Sequence, residues 1–181
     1  MKILKYLLFG LLAIIGLALI IALFVQKDYH IEKEVTIAAP KQEVYDYVKF
    51  LKNQNNYSKW AKMDPNMKTS FTGTDGTVGF VSAWESEADS VGAGEQEIVA
   101  IEEGARIDYE IRFIEPFKSQ AKAYMTTTSL DSSSTKVTWA FDSHMPYPMN
   151  LMGLFFNMEE AVGNDLNTGL QNLKGIMETA N

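Results

Sequence analysis

Asp142 and His144 stand two residues apart, so an extended chain puts a carboxylate and an imidazole on one face of a strand. A carboxylate beside a histidine orients the ring and raises its basicity, which is what general-base catalysis requires. Tyr109, Tyr124 and Glu85 are the other side chains with acid, base or hydrogen-bonding capacity that a ligand cavity could use. The pattern around the pair argues against catalysis. Val137, Trp139 and Phe141 alternate with Lys136, Thr138 and Asp142, which turns Asp142 and His144 toward water. A lone Asp-x-His pair is a weak motif, and a solvated surface pair is the simpler reading.

Composition removes several other chemistries. The chain has no cysteine, so disulfides, thiolate metal sites and a cysteine nucleophile are absent. Its two histidines, His30 and His144, lie far apart in sequence and give a metal site little support, and no motif calls for a cofactor. Beyond residue 25 there are 14 lysines and arginines against 23 acids, a formal charge of −9 over 156 residues. Such a domain repels phosphate, and nucleic acid is a poor partner. Arg106 and Arg112 could fork onto an acidic headgroup. Strand phase turns Arg112 outward, however, where a solvated and locally paired arginine is expected.

Two apolar features remain. His144 to Met158 gathers Met145, Met149, Met152 and Met158 with Pro146, Pro148, Leu151, Leu154, Phe155 and Phe156. Methionine is unbranched and polarizable, so this segment reads as an adaptable lip that admits a lipid or touches a bilayer. The competing reading has Phe155 and Phe156 simply plugging the end of the core. Trp60 and Trp84 divide in the same way between stacking on a ligand and ordinary core packing.

The elements that must position these residues follow from periodicity. Tyr29 to Ile37 alternates as a first strand. Ala39-Pro40 opens a helix with Val44, Val48 and Leu51 at helical spacing, and Asn53 to Asp64 reads as a second short helix carrying Tyr57 and Trp60. Six further strands are expected at Met67 to Thr72, Thr77 to Glu85, Gly94 to Glu102, Arg106 to Ile114, Ser119 to Leu130 and Lys136 to Ser143. The fourth of these is the clearest, with Ile107, Tyr109, Ile111 and Phe113 alternating against Asp108, Glu110 and Arg112, as in an antiparallel sheet covered on one side. A helix of about 20 residues beginning near Phe156 closes the chain, with Val162, Leu166, Leu170, Leu173 and Met177 on one stripe. Its Gly163, Gly169 and Gly175 read as close packing on the sheet or as room for a guest.

Ahead of all this, Tyr6 to Val25 is an uncharged run of 20 residues, long enough as a helix to cross a bilayer. It is longer than a secretory signal core, and no small-residue cleavage site follows it, so an uncleaved anchor is expected. Lys2 and Lys5 at a very short tail favour a cytoplasmic amino terminus, placing the domain outside the cytoplasmic membrane. Residues 1–28 would then be anchor and linker, and residues 29–181 one domain. Gln26 to Asp28 would be a leash of about 10 Å at full extension.

Strand, two helices, six strands and a long last helix is the order of a helix-grip fold, an α+β architecture with a curved antiparallel seven-stranded sheet. With Ala39-Pro40, Val44, Tyr45, Trp60, Asp64-Pro65, Val78-Gly79, Trp84, Gly92-Ala93-Gly94, Gly163-Asn164-Asp165, Gly169-Leu170 and Leu173-Lys174, the sequence resembles the START-like (SRPBCC) superfamily, in its polyketide cyclase/dehydrase and lipid-transport branch. The resemblance spans Tyr29 to Lys174 and implies an apolar cavity between sheet and last helix. It implies a hydrophobic small molecule or lipid as partner, and either a binding protein or a cyclase, dehydratase or isomerase. A cavity-free interaction module at the membrane is the further alternative. The side chains expected at the cavity are Trp60, Trp84, Tyr109, Ile111, Phe113, Trp139 and Phe141, with Val162 and Leu166 from the last helix. Met152, Phe155 and Phe156 are expected at its mouth.

Overall fold

In a computed structural model, residues 2–88 and 91–179 are described, so the last two residues of the expected domain lie outside them. The apolar run forms one helix, α1 (Lys2–Ala22), without proline or an internal charge beyond Lys5 to interrupt it. It is long and apolar enough to cross a membrane, and its window of greatest hydropathy is not buried against the domain. Only Ala22, its last residue, is covered.

Seven antiparallel strands follow in the order β1-β7-β6-β5-β4-β3-β2. They are β1 (Asp28–Ile37), β2 (Lys68–Thr72), β3 (Val81–Glu85), β4 (Ala93–Glu102), β5 (Arg106–Glu115), β6 (Ser119–Ser129) and β7 (Thr135–His144). Two short helices, α2 (Lys41–Val48) and α3 (Gln54–Tyr57), separate β1 from β2, and α4 (Met158–Thr179) ends the described chain. The expected second helix is broken. Ser58 leaves the helical region after α3, and Trp60–Lys62 forms a separate 3₁₀ turn. Leu51 likewise falls in a 3₁₀ turn rather than in α2, and the third expected strand begins only at Val81 because Thr74 to Phe80 turns back on itself.

Register assigns the two faces. Ile31 pairs with Phe141, Phe141 with Ala123, Ala123 with Tyr109, and Tyr109 with Ile98. Directly paired residues share a face, so this row and its alternates form the inner face. The outer face carries a lattice of charge. Arg112 bonds Glu95, Glu97 and Glu110 at 2.6 to 2.8 Å, and Arg106 pairs with Asp108 while lying 3.8 Å over the Tyr124 ring. Both arginines are therefore engaged locally, which leaves neither fork open to a headgroup.

Helix α4 packs chiefly on β1, with α3 against its flank, and α2 lies on β6. Asn157 caps α4 reciprocally, accepting from the Glu160 amide at 3.1 Å and donating to the Glu160 carboxylate at 3.2 Å. At its other end Glu178 accepts from Lys174 and from the Ala38 amide, both at 2.7 Å, which ties the helix to the end of β1. Two of its glycines mark close approach. A methyl group on Gly163 would stand 2.9 Å from the Lys33 stem, and one on Gly169 would stand 2.7 Å from the Trp139 ring. Gly175 faces open space.

Candidate functional site

The inner face has a shut end and an open end. Toward the β4–β5 turn, Ile37, Val44, Tyr45, Ile98, Ile107, Met125, Val137, Leu170 and Leu173 are all essentially inaccessible and form one packed core. Each such side chain stabilises the fold by about 1.5–3 kcal/mol. At the opposite end, where β1 enters, a row runs Tyr29–Ser143–Ala121–Ile111–Gln96–Ser82 across six strands, and the next runs Ser119–Phe113–Gly94–Trp84. Here Ile111, Phe113, Phe141 and Trp84 are only half-buried, as are Met158 and Val162 on α4.

Trp60 closes the side of this cleft. Its segment is stretched between α4 and the end of β3, because Lys59 pairs with Asp165 and Asp64 accepts from the Ser86 hydroxyl at 2.5 Å. Those bonds carry the indole over the inner face, edge-on to Trp139 with centroids 6.0 Å apart. Trp84 meets Phe113 edge-on at 6.1 Å, and it lies flat along Gly94, where any side chain would collide with it. The cleft is aromatic, with neutral Gln96 and Ser82 on the same face.

Two phenols are buried in the core. Tyr57 donates weakly to the Met125 sulfur at 3.5 Å, and Tyr109 has no hydrogen-bond partner for its hydroxyl among the described residues. Burial pushes both hydroxyl pKa values upward, so both are neutral donors. A buried hydroxyl without an acceptor is costly, and an acceptor delivered by a ligand would relieve it.

The twelve expected site residues divide into three groups. Trp60, Trp84, Ile111, Phe113, Phe141 and Val162 are each half-buried toward the open end of the inner face, Trp60 against Trp139 and Trp84 against Phe113. Tyr109, Trp139 and Leu166 are buried behind it as its floor, with Trp139 packed into the space that Gly169 leaves. Met152, Phe155 and Phe156 lie outside the cleft. Phe155 is 91% exposed and Phe156 50% exposed, so they do not plug the core. Phe155 and Phe156 line a groove of about 630 Å³ formed with Phe24, Val25, Gln26, Tyr29 and the rest of the stretch from Gly153 to Glu159.

Asp142 and His144 are on the outer face, and each is bonded across the ladder instead of to the other. His30 Nδ1 and Asp142 Oδ1 are 2.6 Å apart, and His144 Nδ1 and Asp28 Oδ1 are 2.7 Å apart. The two histidines that seemed remote in sequence are thus brought to one edge by the β1–β7 register. Tyr124 also points outward, donating to Glu32 at 2.7 Å, and Glu85 is exposed. A shallow groove of about 400 Å³ runs past the histidines, on the face opposite the cleft. Among the described residues no group of three or more potential ligands could hold a metal ion.

Residues 28–178 match the family model for polyketide cyclase / dehydrase and lipid transport. The chain belongs to this family. As a family member it has the START-like helix-grip fold, and solved structures agree with that architecture. A protein from Thermobifida fusca solved by NMR is 18% identical, with 80% of this chain and 90% of that one covered at a TM-score of 0.54. Ara h 8.0201 is 17% identical over 85% and 99% of the chains at 0.57. The di-domain ARO/CYC BexL from the BE-7585A biosynthetic pathway is 15% identical over 83% and 50%, at 0.60. At such identities these likenesses speak for the fold alone. No curated protein matches the sequence.

Asn150 is the residue that sequence reasoning missed in this family member. It is fully buried, and its amide donates to the carbonyls of Ala22 at 2.7 Å and Val25 at 2.9 Å. The carbonyls ending a helix lack intrahelical partners, so Asn150 supplies a cap to α1 from a 3₁₀ segment, Met149–Leu154, that lies 128 residues away. The Met145 amide also donates to the Lys27 carbonyl at 2.8 Å, and Tyr29 presses its hydroxyl against Gly153. The segment between α1 and β1 is therefore a pinned joint and not the leash expected from its composition. A single polar side chain within an otherwise apolar stretch was the available signal.

Proposed function

We propose that this protein is a membrane-anchored binding domain for a hydrophobic small molecule or lipid, which it holds in the aromatic cleft at the anchor-proximal end of its sheet. The observation that carries this reading is the asymmetry of the inner face, packed shut at one end and half-open at the other around Trp84, Ile111, Phe113 and Phe141. Clefts of this kind, mostly apolar with a few neutral polar groups, suit apolar ligands. Membership of a family described by lipid transport and by cyclase and dehydrase chemistry agrees with such a ligand.

Asn150 supports retention of α1. A signal sequence destined for removal has no need of a buried cap donated by the domain that it delivers. Asp142, His144, Tyr124 and Glu85 lie on the outer face, away from the cleft, and of the candidates only Tyr109, a neutral phenol, is on the inner face, so binding is favoured over catalysis.

Purification of the full chain in mild detergent, followed by mass spectrometry of retained small molecules, tests the reading. The wild-type protein should retain an apolar compound, and Ile111→Trp, which fills the cleft, should lose it. Reproducible absence of any such compound from the wild-type protein would favour an interaction module instead.

A further inference from the structure

Met145 to Met158 contains 14 residues and no charge, in a domain otherwise dense with acids and bases. Tyr147, Met149, Met152, Leu154, Phe155 and Phe156 all present exposed apolar surface. Leaving so many large apolar side chains in water is unfavourable, and contiguous patches of this kind mark an interaction surface. The patch is flush with another. Phe24, at the end of the anchor, is 86% exposed and shares a groove with Phe155 and Phe156, so the apolar surface that follows α1 adjoins the loop, with Gln26, Asn157 and Glu159 at the groove's polar side.

We propose that the Tyr147-to-Phe156 loop is a second membrane contact, seated in the interfacial layer of the bilayer that α1 enters and held at that depth by Asn150. This rests on reading α1 as a retained membrane anchor. The occupant follows from position. The two Asn150 bonds fix the loop to the last carbonyl of α1 and to the Val25 carbonyl just beyond it, which is the level where a spanning helix leaves the hydrocarbon. Apolar faces that carry phenylalanine and leucine on interfacial helices settle about 5–10 Å into that layer, and the loop presents the same side chains. A loop so placed also turns the half-open end of the cleft toward the membrane, because Tyr29 on β1 is shared by the groove and by the first row of the cleft. An apolar ligand would pass between bilayer and cleft with little exposure to water.

The natural absence of cysteine makes the test direct. Single variants Phe155→Cys, Ile14→Cys within α1 and Ser132→Cys at the far β6–β7 turn are labelled with an environment-sensitive fluorophore. Each full-length protein is reconstituted in vesicles of phosphatidylcholine and phosphatidylglycerol, with and without doxyl-labelled phosphatidylcholine. Labels at 14 and 155 should lose most of their emission to the lipid-borne quencher, and the label at 132 should not. Quenching at 14 without quenching at 155 overturns the loop contact while leaving the anchor intact. No quenching at 14 overturns the anchor reading itself. A label at 155 that is shielded from water but insensitive to the lipid quencher would assign the patch to a protein partner or a second copy, and would also overturn the proposal. In the Phe155→Cys background, Asn150→Ala and the near-isosteric Asn150→Asp should reduce quenching at 155 and leave that at 14 unchanged. Unaltered quenching at 155 in both would remove Asn150 from the role assigned to it.

Discussion

His30 and Tyr109 show how burial and partners decide what a titratable side chain does. The hydrogen bond to Asp142 raises the His30 pKa above its ordinary 6.5, assisted by the charges of Asp142 and Glu32 and opposed by slight burial. A folded-state value above the unfolded one means that the pair's contribution to stability is fully present below pH 6.5. It is lost as pH rises through the raised value. NMR titration of the ring should find that raised value in the wild-type protein, and Asp142→Asn should return it toward 6.5. Because the pair is well exposed, the change in stability should be small. Tyr109 behaves in the opposite sense. Its hydroxyl is buried without a partner, so Tyr109→Phe should leave the ligand-free domain as stable as before or more stable by about 1 kcal/mol. A clear fall in melting temperature would mean that the hydroxyl has an acceptor in the folded protein.

The glycines of α4 separate packing from mere tolerance. Trp139 lies where a methyl group on Gly169 would project, and its ring is held edge-on by Tyr57 and Trp60 at 5.8 and 6.0 Å. Gly169→Ala should therefore destabilise by about 1–3 kcal/mol, since overpacking a filled site shifts side chains and backbone. Gly175 meets nothing within 4 Å, and Gly175→Ala should stabilise by up to about 1 kcal/mol through helix propensity alone. Thermal or denaturant unfolding of the two variants reads both signs, and equal effects would contradict the assigned packing. The alternation of β5 and the helical stripe of α4 were legible in the sequence because each buries one face over many residues. The breaks after Val48 and Tyr57 were not, because local patterns there are short and tertiary bonds settle them. Asp75 accepts from the amides of Leu51 and Lys52, at 2.8 and 3.2 Å, across more than twenty residues of chain.

For the whole molecule, α1 and the domain are bonded together at their joint. Removing residues 1–25 takes both acceptors from the Asn150 amide, and a buried donor left unsatisfied costs about 1–3 kcal/mol. The truncated domain should keep its sheet while amide hydrogen exchange accelerates across residues 145–157. Unchanged protection there would mean that the loop is ordered without α1. This coupling also gives the acidic outer face a fixed side, turned from the cleft and its apolar rim.

By itself the sequence determined the helix long enough to span a membrane, the seven strands with their inward and outward residues, the long last helix and the family. Each of these rests on periodicity, length or composition summed over many positions, which no single contact can overturn. Only the tertiary structure decided which members of the apolar set are half-open and which are buried, since Tyr109 and Ile111 share one strand face, each opposite an alanine of β6, but stand opposite Ile98 and Gln96 of β4. It also decided that Asp142 answers His30 and that His144 answers Asp28. Above all it turned an apparent tether into a capped joint. Asn150 and the carbonyls that it caps are more than a hundred residues apart, and no local pattern carries a bond between them.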